Sequence, residues 1–498
     1  MAVRASRTIW LPLAVTWLAF LLRVGGLLSQ SLWRDEVDAL RFSTQTLPAL
    51  LEMFRKPGEN GPLFFLALRP WLAIGGSSEF ALRFPSALAG TLAVPLLYAL
   101  IRRLTRERST AIIATLLLAT APYAVWYGQE AKMYAALTVL VPLSFYLSLQ
   151  ASWKGRWWRW ALLYLVTSLS FYTHLLAALA LPVQAIWLLI LPSLAPSLEP
   201  ATARRRRLSA LLYLALLILP YLSLVQWQLP AWLAADQQTG YPFVPLPTIL
   251  LILLTAFSRG VLPVTERITL LPMVLALLAG IGLWAALPAR WARASRRPRW
   301  WRWGVIGLLL VWLLWPVLGI TIISLRRPLF ADRYLIWALP AFLALAAMGV
   351  VALARIRRPL GGVVLGAVLA LNLAAGWCQA AQPIKSDFRA AAQFVDARRQ
   401  PGDLLVFQIP YNRHTFAYYS GAVERWLDGP YTNYGMSEAD LDAEMTRGTG
   451  DARAVWLIAS ETSMWDERNL TEAWLSGRGA ITDHAEFARV AVTRYELK

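Results

Sequence analysis

The stretch DRYLIWALPAFLALAAMGVVALARIRR (332–358) decides the fold class. Asp332, Arg333 and Tyr334 open it, an apolar run follows to Ala354, and Arg355, Arg357 and Arg358 close it. A bilayer-crossing helix needs about 20 mostly apolar residues, and Lys or Arg beside its end marks the cytoplasmic side. The run therefore reads as one crossing, with Arg333-Tyr334 at its outer end.

The same pattern recurs along the first 380 or so residues. Basic clusters follow Arg4 and Arg7 at 102–108, 154–159, 204–207, 290–302, 326–327 and 355–358. All but 326–327 can be placed inside. Alternating between them gives crossings at about 8–28, 81–104, 109–126, 133–150, two within 159–194, 208–226, 269–289, 303–325, 334–354 and 360–378. The total is eleven, with the N-terminus inside. The apolar pieces at 63–74 and 248–257 are too short to cross and read as interfacial helices on the outer side. Arg326-Arg327 then lies outside, against the charge rule, either as a weak violation of it or as a site that needs cations.

Composition agrees. The chain of 498 residues is 58% hydrophobic and 15% charged, with mean hydropathy +0.49, far from a soluble average. The net charge of +19 reflects basic loops between apolar runs, not the clustered soluble face of a nucleic-acid binder. The single cysteine, Cys378, excludes an internal disulfide and a Cys-rich metal site. The first apolar run is long and has no small-residue cleavage site after it, so it reads as a retained helix. Trp157-Trp158-Trp160 and Trp300-Trp301-Trp303 flank Arg and read as aromatic-belt anchors.

From about 380 the pattern turns water-soluble. The expected domains are a membrane domain, 1–379, and an α/β domain, 380–498. Within the latter, 388–398 has helical period, Pro401-Gly402-Asp403 is a turn, and 404–409, 454–459 and 489–495 read as strands.

Four motifs fall on the outer side by this count. Asp35-Glu36 follows the first crossing. Arg55-Lys56-Pro57-Gly58-Glu59 precedes the first interfacial helix. Tyr127-Gly128-Gln129-Glu130-Ala131-Lys132-Met133-Tyr134 forms the second outer loop, and Asp332-Arg333-Tyr334 opens the run quoted above. Ionisable residues at membrane level are costly and tend to be functional. A solvated loop end is the competing reading for each motif alone; their shared side argues against it.

Together these motifs resemble the C-type membrane glycosyltransferases, nearest the protein O-mannosyltransferase and aminoarabinose transferase group. The resemblance covers about 8–355. It rests on Asp35-Glu36, Asn60-Gly61-Pro62-Leu63-Phe64-Phe65, Glu79-Phe80-Ala81-Leu82-Arg83-Phe84-Pro85-Ser86-Ala87, Gln129-Glu130-Ala131-Lys132-Met133-Tyr134 and Arg333-Tyr334-Leu335. It implies transfer of a sugar from a polyprenyl phosphate to an acceptor hydroxyl, with inversion, at the outer face of the cytoplasmic membrane. It maps the general base to Asp35, with Glu36 as understudy, and gives Glu59 and Glu130 roles in orienting acceptor or sugar. Relatives often carry Lys-Pro or His-Pro where this chain has Asn60-Gly61.

A lipid phosphate leaving group calls for cations, and Arg grips two phosphate oxygens at once. Arg333, Arg259, Lys132, Arg326 and Arg327 are the candidates, with Tyr134 and Tyr334 beside them. For Arg259, a snorkelling interfacial residue is the competing reading. His174, after Tyr172-Thr173, joins the substrate-binding candidates; one His is no metal site, and helix packing is its competing reading. His414 and His484, in the tail, have no ligand spacing. The acids are of the kind that hold a divalent cation, Mg or Mn, but no spacing demands one. The acceptor, whether protein, lipid or glycan, has no signature. A transporter or flippase is the alternative, which should show two related halves, and a scaffold displaying the tail is a third reading.

Overall fold

The computed structural model describes residues 2–53, 61–194, 199–233, 241–263, 270–286, 299–421 and 423–498. They divide into two compact units. One comprises Met1–Leu27 and Ser43–Gln379; the other comprises Leu28–Phe42 and Ala380–Lys498.

The first unit is helical. Its helices are α1 (Ala2–Val24), α2 (Arg34–Thr44, begun in the second unit), α3 (Leu47–Met53), α4 (Leu63–Gly75), α5 (Glu79–Thr105), α6 (Arg108–Thr120), α7 (Pro122–Gly128), α8 (Tyr134–Lys154) and α9 (Trp157–Thr173). After a 3-10 turn at Leu175–Leu179 come α10 (Ala180–Leu194), α11 (Pro200–Leu216), α12 (Ile218–Leu233), α13 (Leu246–Arg259), α14 (Leu270–Ala286) and α15 (Arg299–Ser324). A second 3-10 turn, Asp332–Ala338, leads into α16 (Leu339–Ile356) and α17 (Arg358–Ala381). Among the described residues seven helical segments are long and apolar enough to cross a membrane, eight if the bent pair α6–α7 is one crossing. The chain is a multi-pass membrane protein. The two short helices expected in outer loops are α4 and α13, of 13 and 14 residues, and neither reaches the length a crossing needs. Small residues let helices close up: a Cβ on Gly349 would strike the carbonyl of Leu278, and one on Gly282 that of Leu345.

The break between α6 and α7 is the feature the sequence reading passed over as one continuous helix. The axis bends by 56° at Ala121-Pro122, because proline cannot continue the ladder and its ring crowds the preceding turn. A break inside an apolar bundle frees carbonyls that need donors. Arg23 of α1 supplies them: one guanidinium nitrogen reaches Ala119 O at 3.2 Å and the other Leu118 O at 3.4 Å. Gln379 of α17 donates to Pro122 O at 3.1 Å, and Asn372 to the Thr120 hydroxyl at 3.1 Å. Arg23 is 1% exposed. Gly90 and Gly128 make room for it, since a Cβ on either would press on its side chain.

The second unit is a five-stranded sheet covered by helices on both faces. The strands are β1 (Leu404–Phe407), β2 (Trp426–Asp428), β3 (Ala454–Ala459), β4 (Gly479–Phe487) and β5 (Val490–Leu497), in the order β2-β1-β3-β5-β4. The first three are parallel; β5 is antiparallel to β3 and β4. Alternation along the strands sends Leu405 and Phe407 to a core with Phe388, Phe416 and Trp456, and Leu404 and Val406 to another with Met445, Trp474 and Tyr495. The three strands expected from sequence are β1, β3 and β5. The other two were missed: β2 has three residues, and β4 is an edge strand with little apolar content.

Arg23→Met tests the device at the break. Each carbonyl left without a donor costs about 1–3 kcal/mol. The expected result is a clearly lower thermal midpoint in detergent; an unchanged midpoint would show that the Arg23 bonds carry no weight.

Candidate active site

In the first unit two of the motifs expected in outer loops meet. The loop after α7 is pinned from both sides. The Gln129 amide donates to the carbonyls of Leu22 at 2.9 Å and Arg23 at 3.1 Å, and Gly26 is glycine because a Cβ there would collide with Gln129. Ser86, from the Phe-Pro-Ser-Ala run, donates its hydroxyl to Lys132 O at 3.1 Å. The loop turns tightly, with Lys132 N bonded to Glu130 O at 2.7 Å. Glu130 and Lys132 are thereby buried, at 1% and 8% exposure.

The loop before α16 comes to the same place. Tyr123 of α7 donates its hydroxyl to Asp332 at 3.0 Å, and Arg333 Nε donates to the Tyr134 hydroxyl at 3.0 Å. The Arg333 guanidinium lies 5.9 Å from the Tyr134 ring centroid and 5.7 Å from that of Tyr334. The hydroxyls of Tyr334 and Tyr241 are 2.8 Å apart. His174 completes the group, its ring centroid 5.0 Å from that of Tyr334 and 6.2 Å from that of Tyr134. Gly61 also packs here. A Cβ on it would run into the backbone carbonyl of Tyr172, which gives the glycine at 61 a steric reason. Of the candidates, Lys132, Tyr134, His174, Arg333 and Tyr334 thus share one neighbourhood, with Glu130 on the same loop.

His174 caps the 3-10 turn after α9: its Nδ1 accepts from Leu176 N at 3.1 Å. Burial, then the charges of Arg333 and Lys132, hold its pKa far below the usual 6.5, at about 3.

The other candidate cations sit at or just past helix ends. Arg259 ends α13, is 4% exposed, and donates to Pro263 O at 2.7 Å, so it secures its own helix end. Arg326 is exposed and Arg327 buried just past α15, their backbone N–H groups both bonded to Ile323 O. Glu59 lies outside the described residues.

Asp35 and Glu36 belong to the second unit. Glu36 is fully buried, and its Oε2 is 2.8 Å from the Lys385 Nζ, itself 9% exposed. That pairing argues against the understudy role, since a base must reach solvent-borne substrate. Asp35 keeps 17% of its side chain exposed, with Arg34 Nε 3.6 Å away. Arg34 in turn lies 4.5 Å from the Tyr411 ring centroid. The segment is stitched to the tail throughout. Gln30 donates to Gln382 O at 2.7 Å and accepts from Ile384 N at 3.0 Å, and Leu32 N reaches the Tyr419 hydroxyl at 2.6 Å.

Sequence reasoning missed Arg23, Gln379, Lys385 and Tyr241. A charged residue in the last turn of an apolar helix was the available signal for Arg23; the others carried none. Among the described residues, no group of three or more His, Cys, Asp or Glu is placed to hold a metal ion.

Two predictions follow from these charges. The unfolded chain takes up a proton on His174 near pH 6.5, and the folded chain refuses it until about 3. Stability from this group is present above 6.5 and is lost as pH falls from there towards 3. The thermal midpoint of the wild type should drop more across that window than that of His174→Asn; parallel curves would refute it. For the ion pair, breaking it in Lys385→Met should cost about 3–5 kcal/mol by chemical denaturation. The reversed pair Glu36→Lys with Lys385→Glu should recover part of that loss, and no recovery would mean the pair is not a direct interaction.

Residues 56–227 match the family model described as dolichyl-phosphate-mannose-protein mannosyltransferase. Curated relatives include the undecaprenyl phosphate-alpha-4-amino-4-deoxy-L-arabinose arabinosyl transferase of Yersinia pestis (strain Pestoides F). It is 32% identical over 176 residues, covering 32% of this chain and 30% of the relative. The match thus spans less than a third of that relative's length. Among solved structures, ArnT from Cupriavidus metallidurans bound to undecaprenyl phosphate aligns over 98% of this chain and 97% of its own, with TM-score 0.57 and 14% identity. The apo oligosaccharyltransferase of Archaeoglobus fulgidus aligns over 95% and 73%, with TM-score 0.53 and 12% identity. The chain has the fold of the C-type membrane glycosyltransferases.

Proposed function

We propose that this protein is an inverting glycosyltransferase that moves a sugar from a polyprenyl-phosphate donor to an acceptor hydroxyl on the outer face of the cytoplasmic membrane. The observation that carries the reading is the cluster of Lys132, Arg333 and the tyrosines 134, 241 and 334, in a fold also seen with undecaprenyl phosphate bound. Arg333 and Lys132 neutralise the phosphate, and phenolic hydroxyls orient its oxygens. Neutralisation matters most as the glycosyl bond breaks, when the departing phosphate gains charge.

In the proposed step the acceptor oxygen attacks the anomeric carbon opposite the phosphate. The carbon–oxygen bond to phosphate breaks and its electron pair leaves with the lipid phosphate. The acceptor proton passes to Asp35, the acid that the family resemblance assigns as base. The products are an inverted glycoside and polyprenyl phosphate. Glu130, on the loop with Lys132, is suited to hold sugar hydroxyls. Orientation with the N-terminus in the cytoplasm and the second unit outside follows from the basic loops.

The test is release of polyprenyl phosphate by purified protein from a panel of polyprenyl-phosphate sugars. Asp35→Asn should lower kcat by about 10²–10⁴-fold with donor binding kept. Equal release by both proteins would move the base to another acid. No release and no donor binding by the wild type would overturn the enzyme reading and favour the transporter.

A further inference from the structure

The imidazole of His174 carries information that the cluster around it does not use. Its Nδ1 accepts the backbone N–H of Leu176 at 3.1 Å. A nitrogen that accepts holds no proton, so in the neutral ring the proton sits on Nε2. The ring is neutral because it is buried and faces Arg333 and Lys132. The tautomer is therefore set by the backbone, and Nε2–H is a donor.

That donor is buried and has no hydrogen-bond partner among the described residues. An unmade bond at a buried donor is costly and is retained where function needs it. The nearest aromatic face is Tyr334, 5.0 Å away and tilted by 53°, a second-order acceptor for an N–H. A ligand oxygen would satisfy the donor better. The charges around the ring say which kind. Arg333 and Lys132 are the groups whose fields act on it most, so the favoured oxygen is anionic.

We propose that His174 donates its Nε2–H to a phosphate oxygen of the polyprenyl-phosphate donor, as a neutral third partner beside Arg333 and Lys132. The inference rests on the glycosyltransferase reading and deepens it. Because Nε2 is sealed from solvent in the ligand-free chain, the phosphate reaches it only when the rings packed around it, Tyr334 and Tyr134, shift. A neutral donor suits this position. It adds a directed bond without a third positive charge that Arg333 and Lys132 would repel.

Two substitutions separate the two ring nitrogens. In His174→Asn the side-chain oxygen takes the place of Nδ1 and keeps the Leu176 bond, but nothing replaces Nε2–H. In His174→Gln the amide nitrogen reaches the place of Nε2 while the bond to Leu176 is lost. The measurement is binding of undecaprenyl phosphate, and of uncharged undecaprenol, to the full-length purified protein, with thermal midpoints alongside. His174→Asn should bind undecaprenyl phosphate about 10–100-fold more weakly at a midpoint near the wild type at neutral pH. His174→Gln should stay within about threefold of wild-type affinity with a lower midpoint. Undecaprenol binding should not respond to either change. Wild-type affinity in His174→Asn, or an equal loss for undecaprenol, overturns the inference alone. A wild type that does not prefer the phosphate to the alcohol overturns the glycosyltransferase reading and this inference with it.

Discussion

Freed backbone carbonyls inside an apolar bundle are the constraint on which the membrane unit turns. No water is at hand to satisfy them, so a helix can break there only where side chains bring donors. The break at Ala121-Pro122 meets that demand with Arg23 from α1 and Gln379 from α17. The same Gln379 also accepts from Val261 N at 2.8 Å, just past Gly260, whose φ of 79° ends α13. One amide thus joins the break to the helix end that carries Arg259. Because α7 leaves the break at a fixed angle, Tyr123 meets Asp332, and the loop that follows returns through Gln129 to α1. The cation-and-tyrosine cluster is the downstream result of a backbone problem solved upstream.

Much of this was legible in the sequence, for a simple reason. Crossing a bilayer imposes a one-dimensional signal, and 332–358 or 79–105 can hardly be read otherwise. The buried strands β1 and β3 were legible too, because strands covered on both faces are continuous apolar runs. The site motifs showed as acids and bases at helix ends. What the sequence hid were partners distant along the chain. Arg23 and Ala119 are 96 residues apart, and Glu36 and Lys385 are 349 apart. Nothing local distinguishes a lysine that will pair with a buried glutamate from one that will stay in solvent. The edge strand β4 was hidden by its exposure, which leaves it without apolar contrast.

The acids of the first loop illustrate how burial sorts neighbours. Asp35 and Glu36 are adjacent and look interchangeable in sequence. On a helix they point about 100° apart. Glu36 falls on the inner side with Lys385, and Asp35 on the outer side with Arg34. One is paired inside the second unit, and the other keeps part of its carboxylate exposed beside Arg34.

The membership of Leu28–Phe42 in the second unit also constrains how the chain is made. This segment leaves the ribosome early, and its lysine partner is synthesised 349 residues later. At about 5–20 residues per second, that interval is roughly 20–70 s. During it Glu36 has no Lys385 to neutralise it, and Gln30 and Leu32 have none of their tail partners. The second unit can close only after the whole helical bundle has been threaded. A stop codon upstream of Lys385 would therefore leave Glu36 without its cation.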